Sequence, residues 1–517
     1  MGLLVEEIGK ETNEKSLELH PITLDRHKLL DSILNSIGVG KFQYYLLVVC
    51  GGMFMTTALS LTSVSFVIPS AQCDLNLTSS RKGVLSGMSM FGMLFGSYLW
   101  GNWADVKGRK TVLFMSLLID ATFSILSSIS PTYELFLLCR FMCGFGTSGT
   151  AVVFSYLGEF LPSNHREKLL STTELFWTIG IIIVPCIAWL VIPMTFSIKN
   201  DYIYFSSWNL FIIICSCPNI ILSYVLYKLP ESPKFLLSKG KVDEIVQCLE
   251  TICKWNKIKK SHDFNLISLI PKETENVDTN IGFFQNFFVG IRNLMFSKYC
   301  VIAIQSFILQ FGSTTSFYTI IMWAPELMNR FKYYENLNSP SSNISMCEIM
   351  SLFKNLTTST ENVCIDTIDN MVYLNIFLIG VVSLPPCIVI PFMVKRWGLR
   401  KVAVMCFLTS GIAAGCLYFV KNSFQNFMMS AIFEALSSIG ITLVYCICIH
   451  LFPTELRGVA VSIGSMFGKF GGLMGNIMLG MFIDVYCAVP IIISCLLLIL
   501  TALTLLFLPN TKKTILN

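Results

Sequence analysis

Charged side chains are scarce in this sequence. They make up 13% of its 517 residues, whereas soluble globular domains carry about 25%. Hydrophobic residues reach 54%, the mean hydropathy is +0.66, and apolar runs of about 20 residues, long enough to cross a bilayer, recur along the chain. A soluble multidomain enzyme is therefore excluded, and an integral membrane protein is predicted. No nucleic-acid partner is expected, because most basic residues lie in short loops between the apolar runs.

Motifs of catalysis, ATP hydrolysis and metal binding are also missing. The sequence has no G-x-x-x-x-G-K-[ST] loop, no G-x-S-x-G, no H-E-x-x-H and only five histidines. Nearly all of the 19 cysteines lie inside apolar runs, where they act as small hydrophobic residues, and none forms a C-x-x-C pair with metal-site spacing. We expect no enzyme activity, no cofactor, no metal site and no ATP-driven pumping.

The apolar runs predict an all-α membrane protein with twelve transmembrane helices in two six-helix halves. Each span must be helical, because lipid offers no hydrogen-bonding partner to backbone amides. The predicted spans are residues 42–69, 83–103, 111–130, 133–157, 170–194, 206–228, 299–324, 371–394, 401–420, 425–450, 459–484 and 488–508.

The distribution of Lys and Arg predicts the orientation. With the N-terminus in the cytosol, 28 of the 37 basic residues fall on the cytosolic side and 7 outside, with Arg140 and Lys469 inside spans. The opposite orientation would invert this ratio, so both termini are predicted to be cytosolic. Residues 1–38 are polar and do not resemble a cleaved signal, so the first span would act as a signal anchor.

The spans and loops divide the chain into five predicted parts. They are a cytosolic tail (1–41), a first half (42–228), a cytosolic central loop (229–298), a second half (299–508) with an outer loop at 325–370, and a cytosolic tail (509–517). Within the central loop, the stretch from Lys234 to Trp255 alternates apolar and charged positions in the manner of short amphipathic helices.

The predicted outer loops carry three N-glycosylation sequons, at Asn76, Asn343 and Asn355. One sequon alone means little, but all three fall on the side that the charge distribution assigns to the exterior.

Cys73, Cys347 and Cys364 lie on the same oxidising side. Cys347 and Cys364 are the candidate disulfide pair, which would leave one of the three thiols unpaired.

The two halves contain similar segments at a nearly constant offset. Gly108, between spans two and three, and Gly398, between spans eight and nine, are 290 residues apart. Pro162-Ser-Asn-His-Arg166 and Pro453-Thr-Glu-Leu-Arg457 are 291 residues apart and share their Pro-to-Arg spacing. This favours duplication of a six-helix unit, and parallel repeats of this kind build transporters that rock about a central cavity.

Three motifs together resemble the major facilitator superfamily. Gly101 to Lys110 resembles its G-x-x-x-D-x-x-G-R-K signature, and Arg140 to Gly146 resembles the R-x-x-x-G-x-G motif of its fourth helix. Pro230 to Leu236 resembles the P-E-S-P-R motif of sugar and organic-ion porters. The resemblance implies the major facilitator fold.

The same resemblance implies a cytosolic gate. Asp105 would cap a helix and pair with a nearby arginine, and Gly101 would let two helices approach closely. Glu159 and Arg166 are expected to form gate salt bridges. The residues assigned to the gate are Gly101, Asp105, Gly108, Arg109, Glu159, Arg166 and Arg457.

A narrower resemblance, over about residues 40–510, is to the synaptic vesicle glycoprotein 2 family. It is carried by Val67 to Ala71, Val153 to Phe160, Phe176 to Gly180, Ala188 to Pro193 and Pro230 to Lys241. It implies a transporter-like protein of a vesicle membrane or the plasma membrane, with a much shorter outer loop than that family has. It identifies no substrate.

The departures from that family matter for coupling. Its first helix carries D-x-x-E, and these positions are Thr57 and Ser60 here. Tyr445 replaces its tenth-helix Asp, and in the second copy of the signature Lys395 and Leu399 replace the acidic residue and the arginine. Proton coupling through first-helix carboxylates therefore does not carry over.

Charged side chains inside a span cost several kcal/mol unless they are paired or hydrated, so each is a functional candidate. Arg140 either has a structural role in helix packing and interior pairing or acts in coupling or in binding a charged substrate, and the sequence favours neither. Glu434 is a second intramembrane charge of this kind. Glu174 lies about one turn into span five, which favours an ion pair at the cytosolic mouth. Asp120 lies in the third helix, which is usually peripheral in this fold, and receives no assigned role.

Polar and aromatic side chains are predicted to line a central substrate cavity. The candidates are Thr57, Ser60, Trp177, Gln310, Tyr318, Trp323, Tyr445 and Lys469. Spans one and seven carry runs of Ser and Thr, which a helix surrounded by lipid does not require. Helix–helix hydrogen bonds would explain some of them, and contact with a water-filled cavity is the alternative. Trp177 and Trp323 match cavity positions of the family, but Trp323 also fits an interfacial aromatic belt.

Lys469 lies about 15 Å from the cytosolic end of span eleven, near the midplane of the bilayer. It shares helical spacing with Ser462, Ser465 and Asn476. It is either a structural counter-ion, for instance to Glu434, or a cavity residue that binds an anionic group or exchanges a proton. We favour the cavity interpretation, because intramembrane charges are often functional.

The leading hypothesis is a monomeric, gradient-driven transporter that moves a small organic solute by alternating access. The alternative is a transporter-like membrane protein that no longer transports and instead binds partners or regulates vesicle traffic. The lost acidic positions favour the alternative, whereas Lys469, Arg140 and the polar cavity favour transport.

Overall fold

The computed structural model describes residues 29–199, 204–257, 289, 291–337, 346–350, 366–452 and 454–508. In chain order the helices are α1 (29–37), α2 (Lys41–Ser70), α3 (Ser79–Lys107), α4 (Arg109–Ser128), α5 (Tyr133–Ser148), α6 (Val152–Phe160), α7 (Ser163–Val191), α8 (Ser207–Tyr227), α9 (Pro233–Ser238), α10 (Val242–Asn256), α11 (291–295), α12 (Cys300–Leu337), α13 (346–350), α14 (Asn370–Val382), α15 (Leu384–Trp397), α16 (Leu399–Cys416), α17 (Ser423–Leu451), α18 (Thr454–Phe482) and α19 (Ala488–Phe507). The 3₁₀ turns Gly149–Ala151 and Leu417–Phe419 follow α5 and α16. Strands β1 (Ser197–Lys199) and β2 (Tyr204–Ser206) pair antiparallel before α8.

All twelve predicted spans are helical. Spans one to three are α2, α3 and α4, span four is α5 with α6, and spans five to seven are α7, α8 and α12. Span eight is α14 with α15, and spans nine to twelve are α16 to α19. The amphipathic stretch of the central loop forms α9 and α10, as predicted. The fold is therefore all-α with two six-helix halves.

Ten helical segments of the described chain are long and apolar enough to cross a membrane, and α3 and α18 are not among them. These two helices pack extensively against each other across the two halves. A Cβ on Gly83 of α3 would overlap the backbone of Gly480 in α18, so neither position has room for a larger residue. Their many glycines and serines reflect this close helix–helix contact rather than contact with lipid.

We call the end of the bundle that carries α1, α9 and α10 the base, and the end that carries the β1–β2 hairpin and α13 the top. Each half has its own buried apolar core near the base, around Phe42 in the first half and Phe407 in the second. A third core lies near the top and contains residues of both halves. The fourth joins the halves, with Met90 of α3, Trp323 of α12 and Leu479 of α18 in one cluster.

The repeat reappears in the backbone. Gly108 and Gly398 both have a positive φ, of 103° and 91°, at the junctions between α3 and α4 and between α15 and α16. Residues with a Cβ rarely adopt this conformation. A Cβ at Gly108 would also overlap the Glu231 carboxylate, whereas Gly398 has open space around it.

The predicted Cys347–Cys364 disulfide is wrong. Cys347 in α13 is bonded to Cys487, which immediately precedes α19, with a Cα–Cα distance of 5.3 Å. Cys487 lies in the short connection between spans eleven and twelve and was not among the three cysteines expected on the outer side. Cys73 is disulfide-bonded too, so it is not left over as a free thiol, and Cys364 lies outside the described residues.

Of the three sequons, Asn76 is exposed in the turn between α2 and α3, with a φ of 49°. Asn343 and Asn355 lie outside the described residues.

Candidate functional site

Four charged side chains, which we call the top lock, join the two halves at the top. Lys82 Nζ of α3 lies 2.5 Å from Glu326 Oε1 of α12, and the same oxygen is 2.7 Å from Arg330 Nε. Arg330 Nη1 lies 2.8 Å from Asp484 Oδ1, and its Nη2 donates to Ser79 Oγ at 3.0 Å. Lys82, Glu326 and Arg330 are all buried. The top lock therefore holds the halves together by charges removed from solvent.

Sequence reasoning missed the top lock. Lys82 lies one residue before predicted span two, and Glu326 and Arg330 were assigned to the outer loop. The available signal was their i, i+4 spacing, which places an acid and a base on the same helix face. The partner on α3, 244 residues away in sequence, left no comparable signal.

At the base, charged groups pair within the first half. Arg109 Nη2 lies 2.8 Å from Asp105 Oδ1, and its Nε lies 3.2 Å from Glu159 Oε1. Arg166 and Lys234 both contact the Asp31 carboxylate of α1, at 3.3 and 2.8 Å. Glu159 and Arg166 thus form salt bridges, both within the first half, and their role in a gate stays a prediction.

Glu231 of the P-E-S-P motif completes this arrangement. Its Oε1 accepts hydrogen bonds from the backbone N–H groups of Lys110 and Ser232, both at 2.9 Å. The carboxylate therefore lies at the N-terminus of α4, where the helix dipole favours a negative charge. Ser232 Oγ donates to Glu159 Oε2, and so connects the motif to Arg109.

Two gate residues do not behave as predicted. Gly101 is exposed, and a Cβ there would meet nothing within 4 Å, so it mediates no close helix approach in this conformation. Arg457 donates to the Phe452 carbonyl oxygen of its own turn, at 3.3 and 3.4 Å. Neither residue therefore contacts the other half among the described residues, as a gate residue in a closed base would.

Within the described residues, the hydrogen bonds between the halves lie at the top or middle of the bundle. Lys82–Glu326, Ser79–Arg330 and Trp189–Asn370 are near the top, and Thr178–Cys387 is near the middle. The described base charges pair within their own half. Among the described residues, the hydrogen bonds between the halves therefore join them at the top and middle of the bundle and not at the base.

The centre of the bundle holds a polar cluster built from both halves. Lys469 Nζ of α18 lies 5.1 Å from the ring centroid of Tyr318 in α12, and it lies near the Tyr445 hydroxyl of α17. From the first half, Glu174 of α7 lies beside Thr442 of α17 and near the Tyr318 hydroxyl. We call these five residues the central cluster.

The central cluster faces an internal space. Lys469, Tyr445 and Glu174 lie deep in the bundle, yet each keeps part of its side chain accessible. Trp177, one turn along α7 from Glu174, is also half-buried, and its ring centroid lies 5.4 Å from that of Phe54 in α2. Depth combined with partial exposure indicates side chains that line a cleft between the halves.

Residues 39–306 match the family described as "Sugar (and other) transporter", and residues 306–517 match "Major Facilitator Superfamily". The chain belongs to the major facilitator superfamily. Synaptic vesicle glycoprotein 2B of Mus musculus is 28% identical over 94% of this chain and 86% of its own length. Synaptic vesicle glycoprotein 2A of Rattus norvegicus is 36% identical over 48% of this chain and 34% of its own length.

Among solved structures, the inward-open conformation of the xylose transporter XylE from E. coli has the same fold. Its TM-score is 0.66 at 15% sequence identity, over 91% of this chain and 97% of that one. The partially occluded inward-open conformation of XylE gives a TM-score of 0.65 at 16% identity. At these identities the likeness establishes the major facilitator fold alone.

In this superfamily member, Thr57 and Ser60 do not face the cleft, contrary to the prediction. Ser60 Oγ donates to Asp120 Oδ1 at 2.8 Å, and Thr57 Oγ1 lies 2.7 Å from Thr150 Oγ1. Asn219 Nδ2 donates to Asp120 Oδ2, also at 2.8 Å. These groups are buried inside the first half. Span one (α2) has no carboxylate at these positions, but the carboxylate of Asp120 from span three (α4) lies beside Ser60. Asp120 is therefore less peripheral than the sequence indicated.

The remaining cavity candidates differ in position. Gln310 is buried inside the second half, beside Gly464. Trp323 has no exposed surface and lies in the core that joins the halves, so its interfacial-belt interpretation is wrong. Of the two tryptophans, Trp177 is the one with accessible surface beside the cleft, as expected for a cavity residue.

The other two intramembrane charges lie apart from the central cluster. Arg140 Nη2 donates to Ser127 Oγ at 2.9 Å, and its guanidinium lies 5.1 Å from the Phe136 ring centroid. It also attracts Asp120 electrostatically. Glu434 is buried in α17, and within the described residues it forms no ion pair with Lys469. The counter-ion interpretation of Lys469 therefore lacks its proposed partner in this conformation.

Proposed function

We propose that this chain is a secondary transporter that moves a small organic solute by alternating access, driven by a solute or ion gradient. The observation that carries the proposal is the central cluster, in which Lys469 of one half and Glu174 of the other flank a cleft beneath the closed top lock. Membership in a superfamily of transporters supports the same interpretation.

In the proposed cycle, solute enters from the open base and Lys469 binds its anionic group. The salt bridges around Arg109 and Asp31 keep the base of the first half rigid, so the halves would move as units. Closure of the base would then be accompanied by separation of Lys82 from Glu326, which opens the top. Buried charges that pair only in one state are suited to this role, because solvent competes with the pair once the top opens.

We further propose that the base is cytosolic, that the chain is monomeric, and that it resides in a vesicle membrane or the plasma membrane. The excess of Lys and Arg at the base supports the orientation. Similarity to synaptic vesicle glycoproteins 2A and 2B supports the choice of membranes.

Uptake by purified protein in liposomes, screened against pools of small organic solutes, tests the proposal. We expect uptake above that of empty liposomes, and we expect Lys469→Gln to abolish it while protein yield and thermal stability stay close to wild type. Lys421→Gln is the matched control, because Lys421 is exposed at the top, outside the central cluster. Full uptake by Lys469→Gln would refute the assigned role. If Lys469→Gln unfolds the protein and Glu434→Gln restores it, Lys469 is a structural counter-ion.

The alternative function is a binding or vesicle-traffic regulator that no longer transports. The hydrogen bonds of Thr57 and Ser60 within the first half favour it, because the first-helix positions that carry acids in the related family here have a packing role. Absence of uptake and of solute exchange across the whole screen, by protein that remains folded, would support this alternative.

A further inference from the structure

An acidic and a basic side chain line the central cleft without forming an ion pair with each other. Lys469 comes from the second half and Glu174 from the first, and within the described chain neither forms an ion pair. Charged groups at this depth are costly unless they are paired or hydrated. Both side chains keep accessible surface, so both can contact a ligand in the cleft.

The fold holds these two charges apart. Thr442, beside Glu174, and Tyr445, near Lys469, are three residues apart on α17, which corresponds to a rise of about 4.5 Å. Tyr318 lies between them, with its ring next to the Lys469 ammonium group and its hydroxyl near Glu174. The anion-binding point and the cation-binding point therefore lie at different ends of the Tyr318 side chain and are separate from each other.

We propose that the central cluster binds a small zwitterion, whose carboxylate or similar anionic group contacts Lys469 and whose ammonium group contacts Glu174. The zwitterion proposal rests on the proposed function in one respect only, which is that the ligand is taken to be the transported solute. A simple anion would leave Glu174 without a partner, a simple cation would leave Lys469 without one, and a neutral solute would neutralise neither. A ligand with both charges satisfies both groups in one binding event.

The arrangement also links binding to movement. Because the two charges belong to different halves, a zwitterion that spans them would draw the halves together around the cleft. A ligand with one charge would contact one half strongly and would lack this effect.

The probes are unbranched ω-amino acids of increasing chain length, each compared with the carboxylic acid and the amine of matching length. Binding to the full-length protein in detergent or nanodiscs is measured by thermal unfolding, since a ligand that binds the folded state raises its midpoint. We expect one or two chain lengths of the zwitterion to bind about 10- to 100-fold more tightly than either singly charged analogue, as expected for loss of one charge-assisted contact. Equal affinity for zwitterion and monoanion, or no binding by any zwitterion, would overturn the proposal.

Variants assign the two charges. Glu174→Gln should weaken zwitterion binding about 10- to 100-fold and leave the monoanion unaffected, whereas Lys469→Gln should weaken both and leave the monocation unaffected. Lys421→Gln and Glu134→Gln, at exposed positions outside the cluster, should leave all affinities unchanged. Unchanged zwitterion affinity in Glu174→Gln would refute the cation-binding role, and the analogue series on wild-type protein decides the question if a variant does not fold.

Different results would refute the zwitterion site and the transport function. Lys469-dependent uptake of a neutral or singly charged solute, with no zwitterion binding, would overturn the substrate class and leave the transporter standing. Zwitterion binding that responds to Glu174→Gln, without any uptake or exchange, would support the site and refute transport.

Discussion

The substitution Glu326→Gln should shift this protein from its top-closed toward a top-open conformation. Glu326 is 2% exposed and holds two cations, Lys82 from the first half and Arg330 from its own helix. Glutamine keeps the size and a dipole but removes the charge. In the top-closed state, Lys82 and Arg330 would then face each other in a buried site, with Asp484 as the remaining counter-charge.

The magnitude follows from the burial of the pair. Breaking a buried ion pair by removing one partner costs about 3–5 kcal/mol, and the lower figure applies here because Asp484 and the glutamine dipole remain. The cost falls on the top-closed state, since opening exposes these groups to solvent. About 3 kcal/mol corresponds to roughly a 100-fold change in an equilibrium constant. A top-closed state favoured about 100 to 1 would therefore approach equal population with the open one.

Amide hydrogen–deuterium exchange measures this shift without added labels. We expect Glu326→Gln to raise exchange in the upper parts of α3 and α18, which pack together at Gly83 and Gly480, and to lower it at the base. Glu335→Gln is the matched control, because Glu335 lies on the same helix but contacts Lys332 and Ser423 within the second half. Unchanged exchange in α3 and α18, or the same change in the control, would refute the role of the top lock.

Three further substitutions test single contacts. Asp120→Ala should lower the free energy of unfolding by about 1–3 kcal/mol for each buried donor, Ser60 and Asn219, that it leaves unpaired. A chemical-denaturation curve that matches that of the wild type would contradict this. Asn76→Gln should remove one glycan in a glycosylating cell, and an unchanged mass would count against an external top. Partial burial acts to raise the pKa of the Asp31 carboxyl, but hydrogen bonding and charge attraction from Lys234 and Arg166 outweigh it and hold the pKa below its ordinary value of 3.8. The stabilisation that the Asp31 contacts give to α1 should therefore be complete above pH 3.8, and it should be lost only as the pH falls through the lower pKa of the folded protein. Asp31→Asn should raise the amide exchange of α1 at neutral pH, and unchanged exchange would show that the contact is unimportant.

Features that depend on one segment of chain were predictable from sequence. Ten of the twelve helices follow from the length and hydropathy of their spans, because a membrane requires every span to satisfy its own backbone hydrogen bonds. The repeat was visible because Gly108 and Gly398 mark equivalent turns, and both indeed adopt a positive φ. Lys469 and Trp177 were predicted to line a cavity because an ammonium group or a large aromatic at mid-span is unusual wherever its neighbours lie.

Features that depend on partners distant in sequence were decided only by the tertiary structure. The Cys347–Cys487 bond joins residues 140 positions apart, and Lys82 and Glu326 are 244 apart. Ser60 faces Asp120 rather than the cleft because of how α2 is rotated against α4. The periodic pattern of one helix shows that it has a polar face, but the rotation and packing of its neighbours determine whether that face contacts another helix, an ion-pair partner or water.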